Sequence, residues 1–105
     1  MEFGFEGADT EVKFSTGGTR SDSTGKGRYD LMPPKALRRV AIVYEKGGLV
    51  RGDRNWEKGM PRTRLFDSAL RHTYQALDGQ VDEDHLAHAV WNLLALMHFE
   101  EEAAE

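Results

Sequence analysis

The chain has 105 residues, 39% hydrophobic and 30% charged, with a net charge of −4 and no cysteine. That is the composition of one soluble globular domain; it excludes a disulfide scaffold, a thiolate metal site and a low-complexity chain. No apolar run approaches the ~20 residues of a membrane helix, and the acidic, glycine-containing start MEFGFEGADTE does not read as a secretion signal.

The charge is segregated. From Arg20 to Arg71 there are 13 Lys and Arg against 6 Asp and Glu, a local balance of +7, whereas the remainder carries −11. A basic middle between acidic ends points to an anion held locally and argues against coating an extended nucleic acid.

In chain order, residues 1–28 are rich in Gly, Ser, Thr and acids without helical period. They are expected to form a flexible arm, with EVKFS as a short extended piece packed through Phe14. Residues 29–105 are expected to form the helical domain. The first helix is predicted to open at Pro33 or Pro34, to bury Leu37, Val40, Ala41 and Tyr44, and to stop at Gly47-Gly48. The second, PRTRLFDSALRHTYQALDG, is predicted to face inward through Phe66, Ala69, Leu70, Thr73 and Leu77. Arg64, Asp67, Arg71, His72 and Gln75 then lie on its other side, and Gly79 ends it. The third begins near VDED, whose acids suit a helix N-terminus. Leu86, Ala89, Val90, Leu93 and Met97 form one stripe of that helix, and Trp91, Leu94 and His98 another side. The expected fold is therefore all-α, with about three helices and a thin core. Such a core is expected to be completed by dimerisation or higher oligomerisation through Trp91, Leu94 and Met97.

Several motifs dissolve on inspection. Arg51-Gly52-Asp53 is an adhesion tripeptide with no secretory context. In GGTRSDSTGKG six residues separate Gly18 from Gly25 where a phosphate loop needs four, and Gly27 follows Lys26 where Ser or Thr is required. His85, His88 and Asn92 share a face of the third helix and could bind a metal with His72, or one or more of the histidines could complete helix–helix hydrogen bonds inside a dimer.

The remaining constellation reads as a nucleotide site. Arg51, Arg54, Lys58, Arg62, Arg64 and Arg71, with His72, His85 and His88, can neutralise phosphates. Trp56 and Tyr74 can stack a base, and Asn92 can read its edge. Ion pairing to Asp53, Glu57 and Asp67 competes for these arginines.

GKGRYDLMPPKALRRVA, GDRNWEKG and LRHTYQALDGQVDEDHLAHAVWNLLAL occur in that order between Gly25 and Phe99. In this the chain resembles a bacteriophage family, the N-terminal domain of dATP/dGTP diphosphohydrolases. The resemblance implies a phage protein in the cytoplasm of an infected bacterium, a helical fold and deoxynucleotide chemistry. Related MazG-like pyrophosphohydrolases hold Mg²⁺ with E-x-x-E and E-x-x-D pairs on facing helices. Here Glu6–Asp9 matches such a pair only in the arm, and Glu101, Glu102 and Glu105 only at the terminus. The expectation is thus a nucleotide-binding protein needing no metal to bind, one that sequesters a purine or cyclic signalling nucleotide from host immunity. The alternatives are a Mg²⁺-dependent dNTP pyrophosphohydrolase, with Asp67, Asp84 and His88 as candidate catalytic groups, and a structural helical module.

Overall fold

The computed structural model describes residues 10–104. They divide into two compact units, with the boundary between Met32 and Pro33. In the first, β1 (Glu11–Lys13) pairs antiparallel with β2 (Thr19–Ser21), Val12 opposite Arg20. A turn closed by Gly17 (φ 91°) joins them. The extended piece expected at EVKFS is β1; its partner strand has too little apolar character to announce itself.

The second unit holds α1 (Pro34–Arg51), α2 (Arg62–Leu77) and α3 (His85–Ala104), so the protein is all-α apart from the small hairpin. Pro34 opens α1 where a missing N–H is harmless. The expected stop at Gly47-Gly48 is wrong: the helix runs one more turn and ends at Gly52, whose φ of 91° leaves the helical region. A mid-helix glycine weakens a helix by only about 1 kcal/mol and does not end it without such a φ. Gly48 has a separate use, since a Cβ there would stand 2.5 Å from Asp53 Oδ1. A 3₁₀ turn, Asn55–Lys58, bridges to α2, and Gly79 (φ 80°) follows the end of α2 as expected.

α2 and α3 form an antiparallel pair. His72 meets His85, Ser68 meets Asn92, and Leu65 packs with Ala95 and Leu96. α1 lies on α3, with Val40 and Val43 against Ala87, Tyr44 and Trp91. The predicted inward faces need correction. On α2 the buried row is Leu65, Ala69 and His72, whereas Phe66, Leu70, Thr73 and Leu77 face out. On α3 it is His85, Ala89, Asn92 and Leu96; Leu86, Val90, Leu93 and Met97 face out. On α1 Leu37 and Ala41 are exposed and Val43 is buried instead. Small side chains explain the shift: Ala69, Ala87, Ala89 and Ala95 let the helices close, while inside His72 pairs with His85 and Asn92 bonds Ser68 and the His88 carbonyl.

Asp84 sets the start of α3. Its Oδ1 accepts the Ala87 N–H at 3.2 Å, and both its oxygens accept from Arg39 of α1, at 2.5 and 2.8 Å. The Arg39 guanidinium holds the Asp84 carboxyl down at about 2, below the ordinary 3.8. Because the folded value is the lower one, this stability is present above pH ~4 and is lost as pH falls towards 2. The pair is partly solvated, so screening leaves about 1 kcal/mol. Urea unfolding at pH 6 and pH 2.5 should show that increment in the wild type and lack it in Asp84→Asn.

Candidate functional site

A cleft of about 920 Å³ opens between the C-terminal half of α1, the 3₁₀ turn and one side of the α2–α3 pair. Its position follows from helix geometry. Arg64, Ser68 and Arg71 each stand one residue before the buried row of α2; His88 and Trp91 do the same on α3. In an antiparallel pair these two rows turn to the same side. Lys46, Arg51, Arg54, Arg64 and Arg71 line the cleft against only two carboxylates, Asp53 and Asp67. Tyr44, Trp56, Trp91 and Met60 supply apolar wall. Arg71 is 3.8 Å from Asp67, a loose exposed pair that leaves its guanidinium available. Arg54, paired with Glu57, has a left-handed backbone (φ 61°) that a glycine would adopt more cheaply.

Trp56 is half-buried. Its ring meets Tyr44, His98 and Phe99 edge-on, with centroids 6.4, 4.9 and 6.2 Å away. It therefore ties the 3₁₀ turn to α1 and α3 while lining the cleft.

Of the residues read from sequence, the cleft gathers Arg51, Arg54, Trp56, Arg64, Arg71, His88 and Asn92, together with Asp67. It does not gather Lys58, Arg62, His72, Tyr74, His85 or Asp84. Arg62 lies over the Phe66 ring at 4.7 Å, and Tyr74 is two-thirds exposed. Asp84 lines a separate shallow hollow with Arg39, Glu83 and His85. The candidate carboxylates Asp67 and Asp84 therefore lie in different depressions. Glu6–Asp9 and Glu105 fall outside the described residues, and Glu102 pairs with His98 at 3.1 Å. Sequence reasoning missed Tyr44 and Trp91, which reach the cleft only through the packing of α1 on α3, and Ser68, which the pairing of α2 with α3 turns towards it.

Behind the cleft lies a histidine cluster. His88 stacks on His72 with centroids 4.9 Å apart and planes 19° apart. His72 and His85 are buried, with Nδ1 atoms 2.9 Å from one another, and Glu83 Oε1 is 3.5 Å from each. Asp82 holds His85 Nε2 at 2.7 Å. Burial, with the neighbouring His88 adding to it, keeps the His72 imidazole below its ordinary pKa and so neutral at pH 7. The Asn92 amide donates to Ser68 Oγ at 3.1 Å and to the His88 carbonyl at 2.8 Å, fixing the wall between cleft and cluster.

The cleft is thus an arginine-lined, aromatic-walled depression in a small helical domain, a concave arrangement of the kind that ligand sites take. The family model described as "dATP/dGTP diphosphohydrolase, N-terminal" matches residues 16–105, and the chain belongs to that family. No curated protein and no solved structure gives a significant match. No helix among the described residues is long and apolar enough to cross a membrane.

Proposed function

We propose that the cleft binds a phosphate-bearing purine nucleotide. The observation that carries this reading is the convergence of Arg51, Arg54, Arg64 and Arg71 on a cavity with two tryptophans and a tyrosine in its wall. Guanidinium forks suit phosphate oxygens, and the aromatic wall suits a base. The family's name supports deoxyadenosine and deoxyguanosine nucleotides as the first ligands to try. Binding without turnover, as in a phage protein that withholds a nucleotide from a host defence, is favoured by the separation of Asp67 from Asp84. The family's name favours hydrolysis to monophosphate and pyrophosphate, for which Asp67 and His88 are the groups in the cleft and Mg²⁺ the required ion. Calorimetric titration with dATP, dGTP and cyclic dinucleotides, followed by chromatography after incubation with Mg²⁺, separates these readings. Binding weaker than millimolar across that panel would remove both.

We further propose that the chain pairs with a second copy through the face opposite the cleft. One residue after each buried row come Phe66, Leu70, Thr73 and Leu77 on α2, and Leu86, Val90, Leu93 and Met97 on α3. Both rows repeat at the i, i+4, i+7, i+11 spacing of a helical seam, and antiparallel helices turn them to one side. At about 200 Å² for each large apolar side chain, their exposed fractions amount to roughly 750 Å², close to what a stable interface takes from each partner. Of the residues expected at such a contact, Met97 and Leu94 are exposed, whereas Trp91 is engaged in the core. Light scattering behind a sizing column should give twice the chain mass, and Leu70→Glu with Leu93→Glu should halve it. A wild-type monomer at every concentration would remove the proposal.

A further inference from the structure

The cleft leaves the buried histidines unused, and their arrangement has its own chemistry. Two imidazoles facing each other through Nδ1 share one proton at most, and any hydrogen-bonded pair could stop there. Two further features exceed that requirement. A carboxylate oxygen, Glu83 Oε1, completes a near-equilateral triangle with the two nitrogens, its sides 2.9, 3.5 and 3.5 Å. Ligand atoms held at 2.0–2.1 Å around a tetrahedral ion stand about 3.3 Å apart, so the triangle already has the size of one face of such a polyhedron. On the far side of the His85 ring, Asp82 accepts from Nε2 at 2.7 Å; with the proton fixed there, Nδ1 presents a bare lone pair to the triangle. A carboxylate in that position is the usual outer partner of a metal-bound histidine.

We propose that His72 Nδ1, His85 Nδ1 and Glu83 Oε1 form a site for a divalent transition-metal ion of the zinc class. Two nitrogens and one carboxylate oxygen are a borderline donor set, suited to Zn²⁺, Co²⁺ or Ni²⁺ and poorly suited to Mg²⁺ or Ca²⁺, which take oxygen ligands. Three protein ligands leave a fourth position for water. To coordinate, His72 moves its hydrogen from Nδ1 to Nε2, so that ring stays neutral and no net proton is released by it. An ion here would tie α2, the loop before α3 and the first turn of α3 together. His88, stacked on His72, separates it from the cleft. The site does not depend on what the cleft binds.

The test uses the full chain, stripped with a chelator and titrated with Co²⁺, whose visible absorption is intense when four-coordinate and faint when six-coordinate. One equivalent should give the intense spectrum, and one equivalent of Zn²⁺ should abolish it. Glu83 is substantially exposed, so Glu83→Gln keeps the fold while removing the anionic ligand, and should weaken Co²⁺ binding at least tenfold. Asp82→Asn should weaken it tenfold to a hundredfold through His85. His98→Ala, on an exposed histidine elsewhere, should change nothing. A faint six-coordinate spectrum, or wild-type affinity in Glu83→Gln, would overturn the assignment.

Discussion

Leu65→Ala should lower the free energy of unfolding by about 3 kcal/mol, within the range for a leucine truncated in a close-packed core. Leu65 is 2% exposed and packs with Ala95 and Leu96, with Met60, Trp91 and Phe99 around it. Few large side chains share that duty: among the described residues the other buried hydrophobics are Val40, Val43, Leu96 and alanines. The alanines admit close helix approach but contribute little area, so the neighbours have no bulk with which to refill the space. In a domain of this size the loss corresponds to a melting temperature lower by roughly 12–20 °C. Urea titration of wild type and variant should show a lower midpoint at an unchanged slope. Leu77→Ala is the contrast, since Leu77 is 82% exposed. A protein diluted to monomer should lose no more than about 0.5 kcal/mol from it. Equal effects of the two substitutions would mean that the buried row of α2 has been misidentified.

The second large effect concerns the cleft. Arg71→Ala should weaken nucleotide binding about tenfold or more, the value of one charge-assisted hydrogen bond. Its stability should hardly change, because among the described residues the ion pair lost is the exposed one to Asp67. Arg62→Ala serves as the internal control: an arginine nine residues earlier on the same helix, it lies over Phe66 outside the cleft. Its removal should leave the affinity unchanged. Raising the salt concentration should weaken wild-type binding more than that of Arg71→Ala, since the variant has one fewer charge to screen. Calorimetry on the three proteins at two salt concentrations gives the comparison. Equal losses for Arg62→Ala and Arg71→Ala would point to general basicity instead of a built site.

How far the sequence reveals all this differs between levels. Helix number and ends were legible because prolines and positive-φ glycines act locally: Pro34 and Gly79 need no tertiary information. Gly47-Gly48 misled because glycine identity alone does not give φ: both stay helical, and the positive φ that ends α1 falls at Gly52. Facing was not legible. The apolar stripes of α2 and α3 are real, but the helices join through the row one residue earlier, where alanine and hydrogen-bonded polar groups fit more closely than leucine. Hydropathy ranks His72 and Asn92 as surface residues because it sees one side chain at a time. In the site, the excess of arginines was legible as a local charge, whereas Tyr44 and Trp91 join them only through α1 meeting α3. Glu83 was read simply as a helix-start acid. Its position two residues before His85 was the available signal, and it meant nothing until His72 came alongside.

The backbone of Arg54 carries a wider consequence. An arginine in the left-handed region stores about 1 kcal/mol of strain that glycine would release. A redesign guided by thermostability alone would choose this position early and improve the score. The same substitution removes one of the cations that line the cleft. Folding robustness and the proposed ligand capture therefore pull in opposite directions at one residue, and any engineered or naturally stabilised form of this domain has to be judged on both.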